Sequence, residues 1–470
     1  MVRVSTIPAG VPFVDALASG LLAEADGDAL ALADMLVLLP NRRACRSLRD
    51  AFWRAGKGQA LALPAIQPIG DLDPDELLID AESELDLPPA IGGLRRRLLL
   101  TRLLKPLGWR TDQAGRLADD LASLLDELQT ERVLFDELEA LVPAMFAEHW
   151  QKSLQILQIV GRHWPGVLAG ERALDPAERR HRMLTALAER WVAAPPAQRI
   201  VAAGSTGSIP ATRELLKVIA SLPAGEVVLP GLDQALDDAS FEALTPEHPQ
   251  FGMKDFLNTL DLPRLDVETW GGGEALDGQF EDKRHAREGL LRAVMQPLGA
   301  GGWRDLPPID PLATDGLFLS EHPDPAIEAL SITLRLRAAL LEEGRTAALI
   351  TPDRALARRV VVELRRFGIA IDDSAGVPLD QTVAGSFLLL AARLVVEGVQ
   401  PVSLLSLLKH PLMRANLETD EVRRRARLLE RSCLRGPALI DGFRPIIGLI
   451  DDRRRRLGED RLEEREQLAG

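Results

Sequence analysis

Several residue types and patterns are scarce in this chain, and each scarcity excludes a class of protein. Only two of the 470 residues are cysteine, Cys45 and Cys433, too few for a disulfide framework or a metal cluster. No apolar run reaches the roughly eighteen residues that a membrane-spanning helix needs, and the first residues lack a signal-peptide pattern. We therefore expect a cytoplasmic protein with reduced thiols and no membrane partner.

Aromatic residues and positive charge are also in short supply. Aromatic residues make up 4% of the chain and tyrosine is absent, so few rings could stack on nucleic-acid bases; Trp53 is one candidate. The net charge of −14 argues against a protein that coats nucleic acid by bulk attraction. The net charge does not exclude a local basic channel, because arginines cluster along the chain. The alternative is that these clusters are solvated helix faces.

The remaining composition is that of a folded protein, with 46% hydrophobic residues and enough length for two or three domains. Residues 35–39 form an unbroken apolar run that predicts a strand buried on both faces of a parallel sheet. Pro40 and Asn41 end this strand and begin a helix, on which Cys45 shares one side with other apolar residues and the arginines lie on another.

Further along, helical periodicity fills residues 91–191, and then strand and helix patterns alternate again. Strands are predicted at residues 2–7, 199–203 and 226–229, and helices at 13–22, 210–221 and 282–295. Pro210 suits the first position of its helix because its missing N–H costs no hydrogen bond there. The pattern predicts an α/β lobe interrupted by a helical insertion.

A second region repeats the design of the first. Strands are predicted at residues 317–320 and 347–350. The sequence LITPDRALARRV resembles the earlier LLPNRRACRSL. Two similar α/β lobes would explain the repeat, although strand–Pro–helix turns also recur by chance. After residue 376 only helices are predicted. Either the second sheet is small, or the chain stops inside another helical insertion.

Sites for chemistry are sparse. A phosphate-binding loop belongs between the first strand and the first helix, where residues 8–13 contain two prolines and no lysine, serine or threonine. Asp126 and Glu127 follow two leucines but belong to a helical pattern, so we expect them to face solvent. Neither a metal-dependent nuclease triad nor a serine-hydrolase motif is present. We predict no catalytic, cofactor-binding or metal-binding residue in this chain.

Loops at the carboxyl ends of the predicted strands carry polar residues, and α/β lobes place ligands there. Hydroxyls, an amide and arginines are groups that hold nucleic-acid phosphates without reading bases. For Asn41, Ser208 and Asp353 the alternative is an ordinary helix cap. The predicted DNA-contacting residues are Asn41, Arg42, Arg43, Ser205, Thr206, Thr351 and Arg354.

Several stretches resemble the AddB family of alphaproteobacterial type. They are LLPNRRA at residues 38–44, GSTGSIPAT at 204–212, VLPGLD at 228–233 and DDSAGVPL at 372–379. The resemblance extends to at least residue 412, and GSTGSIPAT is its most specific part. None of these stretches is a catalytic motif.

The resemblance implies a UvrD-like superfamily 1 helicase layout: two RecA-like parallel-sheet lobes, each with a helical insertion. On this layout the first lobe takes residues 1–88 and 198–312 around an insertion at 89–197. The second, incomplete lobe takes 313–398, and a truncated insertion takes 399–470. The family implies an AddA-like helicase–nuclease partner, DNA (single-stranded or an unwinding duplex end), and resection of double-strand breaks for recombinational repair.

In the family, a carboxy-terminal nuclease domain carries an iron–sulfur cluster and magnesium. We expect neither here, because the motifs for them are missing from this sequence. The leading hypothesis is a non-catalytic subunit that guides DNA and docks the motor. The alternative is a scaffold that binds AddA without touching DNA. A sugar-nucleotide enzyme on two α/β lobes fits the architecture but has no supporting motif.

Overall fold

The computed structural model describes residues 2–26, 28–56, 60–71, 87–134, 161–271, 281–297, 306, 308–435 and 443–467. The chain divides into two compact units, Met1–Phe318 and Leu319–Gly470. All strands of the described residues lie in the first unit.

The first unit is built on a six-stranded parallel sheet. Its strands are β1 Val4–Ile7, β2 Leu36–Leu39, β3 Ala65–Pro68, β4 Ile200–Ala203, β5 Gly225–Pro230 and β6 Glu268–Thr269. Their order across the sheet is β3-β2-β4-β5-β1-β6, and every pairing is parallel. The chain therefore passes from β1 to β2 across two positions that β4 and β5 fill much later in the sequence.

Helices cover both faces of this sheet. The helices of this unit are α1 Phe13–Glu24, α2 Ala29–Ala33, α3 Arg42–Ala55, α4 Gly93–Leu104, α5 Thr111–Glu131, α6 Pro176–Ala193, α7 Pro210–Ser221, α8 Asp238–Glu242, α9 Phe251–Thr259 and α10 Glu281–Val294, and residues 161–171 are also helical. Helices α1 and α3 pack on one face, while α6, α7 and α9 pack on the other. Successive residues of β2 alternate between the two cores, as a pleated strand requires.

The amphipathic pattern predicted for α3 is confirmed. Its apolar residues, among them Cys45, Leu48 and Phe52, are buried against the sheet, while Arg42 and Arg46 are exposed. Because the apolar residues recur three and four apart, one stripe faces the core and the arginines face outward.

The predicted helical region contains a buried ion pair. Arg96 of α4 lies 2.8 Å from the carboxylate of Asp175, which is fully buried. The side chains of Gln129 and Trp164 also donate to Asp175, each at 2.8 Å. Asp126, expected to face solvent, accepts from Arg96 at 2.9 Å and is only half-exposed. This network joins α4 and α5 to the start of α6.

The second unit is helical in its described part. Its helices are α11 Pro325–Leu340, α12 Arg354–Arg366, α13 Val383–Val396, α14 Pro401–Leu408, α15 Thr419–Leu429 and α16 Arg444–Gln467. A small core joins α11 and α12 through Ala329, Val360 and Leu364. Many apolar side chains stay exposed, including Leu319 and Ile350, which are 90% and 94% exposed.

Two strand predictions for the second region are wrong. Residues 317–320 and 347–350 have no regular secondary structure. Both stretches have apolar, strand-like sequences, but a strand needs a hydrogen-bonded neighbour, and none lies beside them among the described residues. The α/β class is confirmed with one parallel sheet, whereas a second sheet is not seen in the part of the chain that the structure describes.

Two short edge strands, β3 and β6, are present in the structure but were not predicted from the sequence. Residues 135–160 of the predicted helical region at 91–191 lie outside the described residues. None of the described helices combines the length and the apolar content that crossing a membrane requires.

Candidate functional site

A crevice opens at the carboxyl edge of the sheet between β2 and β4. These strands are neighbours, with Leu38 opposite Ala202. The chain leaves β2 toward α3 on one face and leaves β4 toward α7 on the other face. Neighbouring strands that connect to opposite faces leave a gap between their loops, which is the usual ligand position in such folds.

This crevice, called the β2/β4 crevice below, has a volume of about 490 Å³. Its lining comes from four stretches of the sequence: the turn after β2, the end of β3 with the turn that follows it, one residue of α6, and the loop after β4 with the start of α7. The lining residues are Pro40, Asn41, Arg42, Pro68, Ile69, Gly70, Arg180, Gly204, Ser205, Thr206, Ser208, Ile209 and Thr212.

The turn after β2 is fixed by a helix cap. The Asn41 side chain accepts a hydrogen bond from the backbone N–H of Ala44 at 2.9 Å, so the cap alternative for Asn41 is confirmed. Arg42 occupies the first helical position and lines the crevice, whereas Arg43 is exposed and does not line it.

The loop after β4 follows a tight path that two glycines permit. Gly204 and Gly207 have φ values of +76° and +69°, which side-chain-bearing residues rarely adopt. A Cβ on Gly207 would lie 3.1 Å from that of Phe256, so the loop is packed closely on α9. The Ser205 hydroxyl accepts from the N–H of Gly207 at 3.4 Å. The polar loop is thus held at the rim of the crevice.

The charge of this crevice is opposite to that of the chain. Its described lining contains two arginines, Arg42 and Arg180, and no acidic residue, although the chain carries a net charge of −14. Asn41 and four hydroxyl-bearing residues supply the rest of its polar lining. Such a surface suits an anion.

Sequence reasoning missed two polar lining residues, Arg180 and Thr212, and the apolar stretch Pro68, Ile69 and Gly70. Arg180 belongs to a helix predicted only as part of an insertion, and its spacing from β2 and β4 carries no signal. Thr212 was quoted as the last residue of GSTGSIPAT but was not given a role.

A second crevice lies between the loops after β1 and β5, with a volume of about 780 Å³. It is the position at which a phosphate loop would lie. The charged side chains that line it pair with one another: Arg284 donates to Glu288 at 2.9 Å, and Arg292 binds both oxygens of Asp233 at 2.8 and 2.9 Å. Its ionic groups are therefore engaged within the protein.

The loop after β1 contacts helix α10. Gly10 has a φ of +86°, and a Cβ on it would lie 3.0 Å from the side chain of Arg284. Pro8 and Pro12 lack backbone donors, so this loop has fewer N–H groups to offer a phosphate than a glycine-rich loop.

The matching turn in the second unit holds its arginine differently. Arg354 binds both carboxylate oxygens of Asp373 at 2.7 and 3.0 Å and donates to the carbonyl of Gly376 at 3.2 Å. The guanidinium, with the N–H of Ala375, lowers the pKa of Asp373 to about 2. Asp353 caps α12, and the Thr351 hydroxyl accepts from the Asp353 N–H at 3.1 Å. Arg354 thus fixes the loop DDSAG.

The two cysteines differ in surroundings. Cys45 is buried on α3, and burial raises the pKa of its thiol, whereas Cys433 is partly exposed. In the part of the chain that the structure describes, no group of three or more histidine, cysteine, aspartate or glutamate side chains could hold a metal ion.

The structure brings four of the seven predicted residues together in the β2/β4 crevice: Asn41, Arg42, Ser205 and Thr206. Arg43 lies outside the crevice, and Thr351 and Arg354 belong to the second unit. Comparison of the chain with models of protein families and with curated proteins finds no match.

Proposed function

We propose that this chain is the helicase-like portion of an AddB-type subunit, within a helicase–nuclease that resects DNA double-strand breaks for recombinational repair. In this role it is non-catalytic: it guides a DNA strand and docks an AddA-like motor subunit. The proposal rests on the sequence resemblance at GSTGSIPAT and DDSAGVPL together with the site at the sheet edge.

The architecture is consistent with this assignment. A parallel sheet with helices on both faces is compatible with a RecA-like lobe, and helices α4, α5 and α6 lie between β3 and β4 in the sequence. We also propose the finer layout of two RecA-like lobes, each with a helical insertion.

The β2/β4 crevice is the observation that carries the proposal. It joins LLPNRRA and GSTGS, which are separated by some 160 positions in the sequence, into one polar surface with two arginines. Arginines, hydroxyls and helix N-termini are the groups that position a nucleic-acid backbone. A DNA strand is therefore the anion that we assign to it.

DNA binding by the full chain tests this role. Arg42→Gln should weaken binding of a single-stranded oligonucleotide and reduce the salt dependence of the affinity by about 0.7 in log–log slope, since one phosphate contact is lost. Arg46→Gln is the matched control, because Arg46 is an exposed arginine of the same helix that does not line the crevice. Fluorescence anisotropy across a salt series measures both slopes. An unchanged slope for Arg42→Gln would show that DNA does not bind in this crevice.

ATP hydrolysis gives an independent test. The purified chain should show no turnover with or without single-stranded DNA, because the loop after β1 has no lysine and two of its positions lack backbone donors. DNA-stimulated turnover that Arg284→Ala abolishes, at the crevice between β1 and β5, would overturn the non-catalytic role.

A scaffold without DNA contact is the second candidate, and exposed apolar side chains of the second unit favour it. Leu319, Ile350 and Val395 are each at least 85% exposed. Apolar side chains this exposed are available for contact with a protein partner. Photocrosslinking of DNA within the complete assembly separates the two candidates: crosslinks to residues 40–43 or 204–208 support guidance, and their absence supports the scaffold.

A further inference from the structure

The outward side of α3 carries an exposed tryptophan. Trp53 is 76% exposed, whereas Trp164, Trp191 and Trp270 are each at most 6% exposed. Tryptophan is largely covered in most folded proteins, because its large ring is mostly apolar. A ring that stays in water on a well-formed helix is therefore available to a binding partner.

Arginines lie on the same side of this helix. Arg42, Arg46, Arg49 and Trp53 follow one another at spacings of four, three and four residues, and all four are exposed. Such spacing places one side chain per turn on a single face of a helix. At a rise of about 1.5 Å per residue, the row extends about 16 Å along the helix. This row is called the α3 face below.

The α3 face is basic although the chain is acidic. Helix α3 contains five arginines and one acidic residue, the exposed Asp50. Arg54, which lies beside the row, is engaged by Asp15 at 2.6 Å. Arg49 donates to the carbonyl of Ile66 at 3.1 Å, and a neutral carbonyl does not offset its charge. Cations in a row with an exposed ring suit a single nucleic-acid strand, because the cations contact phosphates and the ring stacks on a base.

The α3 face continues the β2/β4 crevice. Arg42 belongs to both surfaces, because it lines the crevice and is also the first residue of α3. From Arg42, the row of side chains leads away from the sheet edge for about three turns. A strand held in the crevice therefore meets Arg46 and Trp53 when it follows α3.

We infer that the α3 face binds the single strand where it leaves the β2/β4 crevice, with Arg46 and Arg49 at its phosphates and a base stacked on Trp53. This inference rests on the proposed function, because the crevice supplies the strand. An acidic protein segment would also match the arginines, but continuity with the crevice favours nucleic acid. Phosphate contacts and stacking tolerate any sequence, so the face lengthens the bound strand without selecting its sequence.

Oligothymidylates of two lengths test the α3 face in the full chain. One of about four nucleotides should occupy the crevice alone, whereas one of about sixteen should also cover the α3 face. For the longer one, Trp53→Ala should weaken binding by roughly five- to a hundredfold, the loss expected for one stacked base. Arg46→Gln should reduce its salt slope by about 0.7. For the shorter one, neither substitution should change binding, which is why Arg46→Gln serves there as the control for Arg42→Gln.

Two further variants separate stacking from a general effect on the protein. Trp53→Phe keeps an aromatic ring and should retain most of the affinity for the longer oligothymidylate. Trp109→Ala is the matched control, because Trp109 is 39% exposed and lies outside α3, and it should leave the affinity unchanged. Since Trp53 is exposed, Trp53→Ala should leave the melting temperature unchanged. Quenching of tryptophan fluorescence by the longer oligothymidylate should be largely lost in Trp53→Phe.

The outcomes distinguish the α3 face from the proposed function. If Arg42→Gln reduces the salt slope at both lengths while Trp53→Ala and Arg46→Gln change binding at neither, DNA guidance by the crevice survives and the α3 face is overturned. The same result is expected if an acidic protein segment occupies the face. If Arg42→Gln has no effect but Trp53→Ala weakens binding of the longer oligothymidylate alone, the crevice role fails and the α3 face stands.

Discussion

Two turns of similar sequence enter helices in very different surroundings. In the first unit, Leu39 is buried in the sheet before Asn41 begins α3. In the second unit, Ile350 is 94% exposed before Asp353 begins α12. Both helices have the predicted cap, because a cap is made by residues within one turn. The strand before it forms only where distant segments supply neighbours, so the same local pattern leads to a sheet in one unit and to an irregular segment in the other.

Arginine–aspartate pairs differ between the units in the same way, and substitution of the buried pair has the largest expected effect. Arg96→Ala leaves Asp175 buried without its cation, so the free energy of unfolding of the first unit should fall by about 3–5 kcal/mol. Urea unfolding followed by tryptophan fluorescence measures this, because all seven tryptophans precede residue 318.

Arg97 is a matched control for that measurement. It pairs with Asp119 at 2.9 Å on the surface, and both side chains are about half-exposed. Arg97→Ala should change the free energy of unfolding by no more than about 1 kcal/mol. Equal losses for Arg96→Ala and Arg97→Ala would show that burial of Asp175 does not distinguish the two pairs.

The residues before the two turns give the next largest effect. Leu39→Ala should cost about 2–5 kcal/mol, since it opens a cavity in the core against α1 and α3. Ile350→Ala removes an exposed side chain and should change stability by less than about 0.5 kcal/mol. Urea unfolding monitored by circular dichroism covers both units. A loss for Ile350→Ala comparable to that for Leu39→Ala would show that this segment is buried in solution.

The partly exposed pair of Arg354 and Asp373 in the second unit predicts a pH effect, the smallest of the three. The pKa of Asp373 is lowered to about 2 by Arg354, so its stabilising contribution is present above the ordinary pKa of 3.8 and is lost as pH falls toward 2. Carboxyl carbon chemical shifts should give that low pKa, and Arg354→Gln should return it toward 3.8. A pKa that Arg354→Gln leaves unchanged would mean that Asp373 and Arg354 are not paired in solution.

Sequence patterns predicted the first unit well where signals are local and strong. The helix Pro210–Ser221 matches its predicted bounds, and β2 was recognisable because a strand buried on both faces is apolar throughout. Strands β3 and β6 were missed because edge strands are short and partly exposed; β6 has two exposed residues. Their identity as strands comes from pairing with β2 and β1.

The residues of the candidate site also divide into those that local sequence patterns predict and those that depend on tertiary packing. Asn41, Arg42, Ser205 and Thr206 were predicted because parallel strands bring their carboxyl ends to one edge of the sheet. Arg180 was not, because its place opposite α7 depends on how α6 packs across the sheet. The burial of Arg96 could not be predicted either, because three consecutive arginines, residues 95–97, are typical of a solvated helix face.

The strand order has a consequence for how the chain matures during its synthesis. Strand β1 pairs with β5 and β6, and Ser5 is hydrogen-bonded to Glu226, 221 positions later. At about 5–20 residues per second, a ribosome needs roughly 10–45 seconds to deliver the partner after the strand has emerged. Helices α4 and α5 need no such delay, because they are adjacent in the chain. We expect α4 and α5 to pack together early in the nascent chain, while both edges of β1 stay unpaired. During this period an unpaired strand is exposed to aggregation, and chaperone binding would protect it.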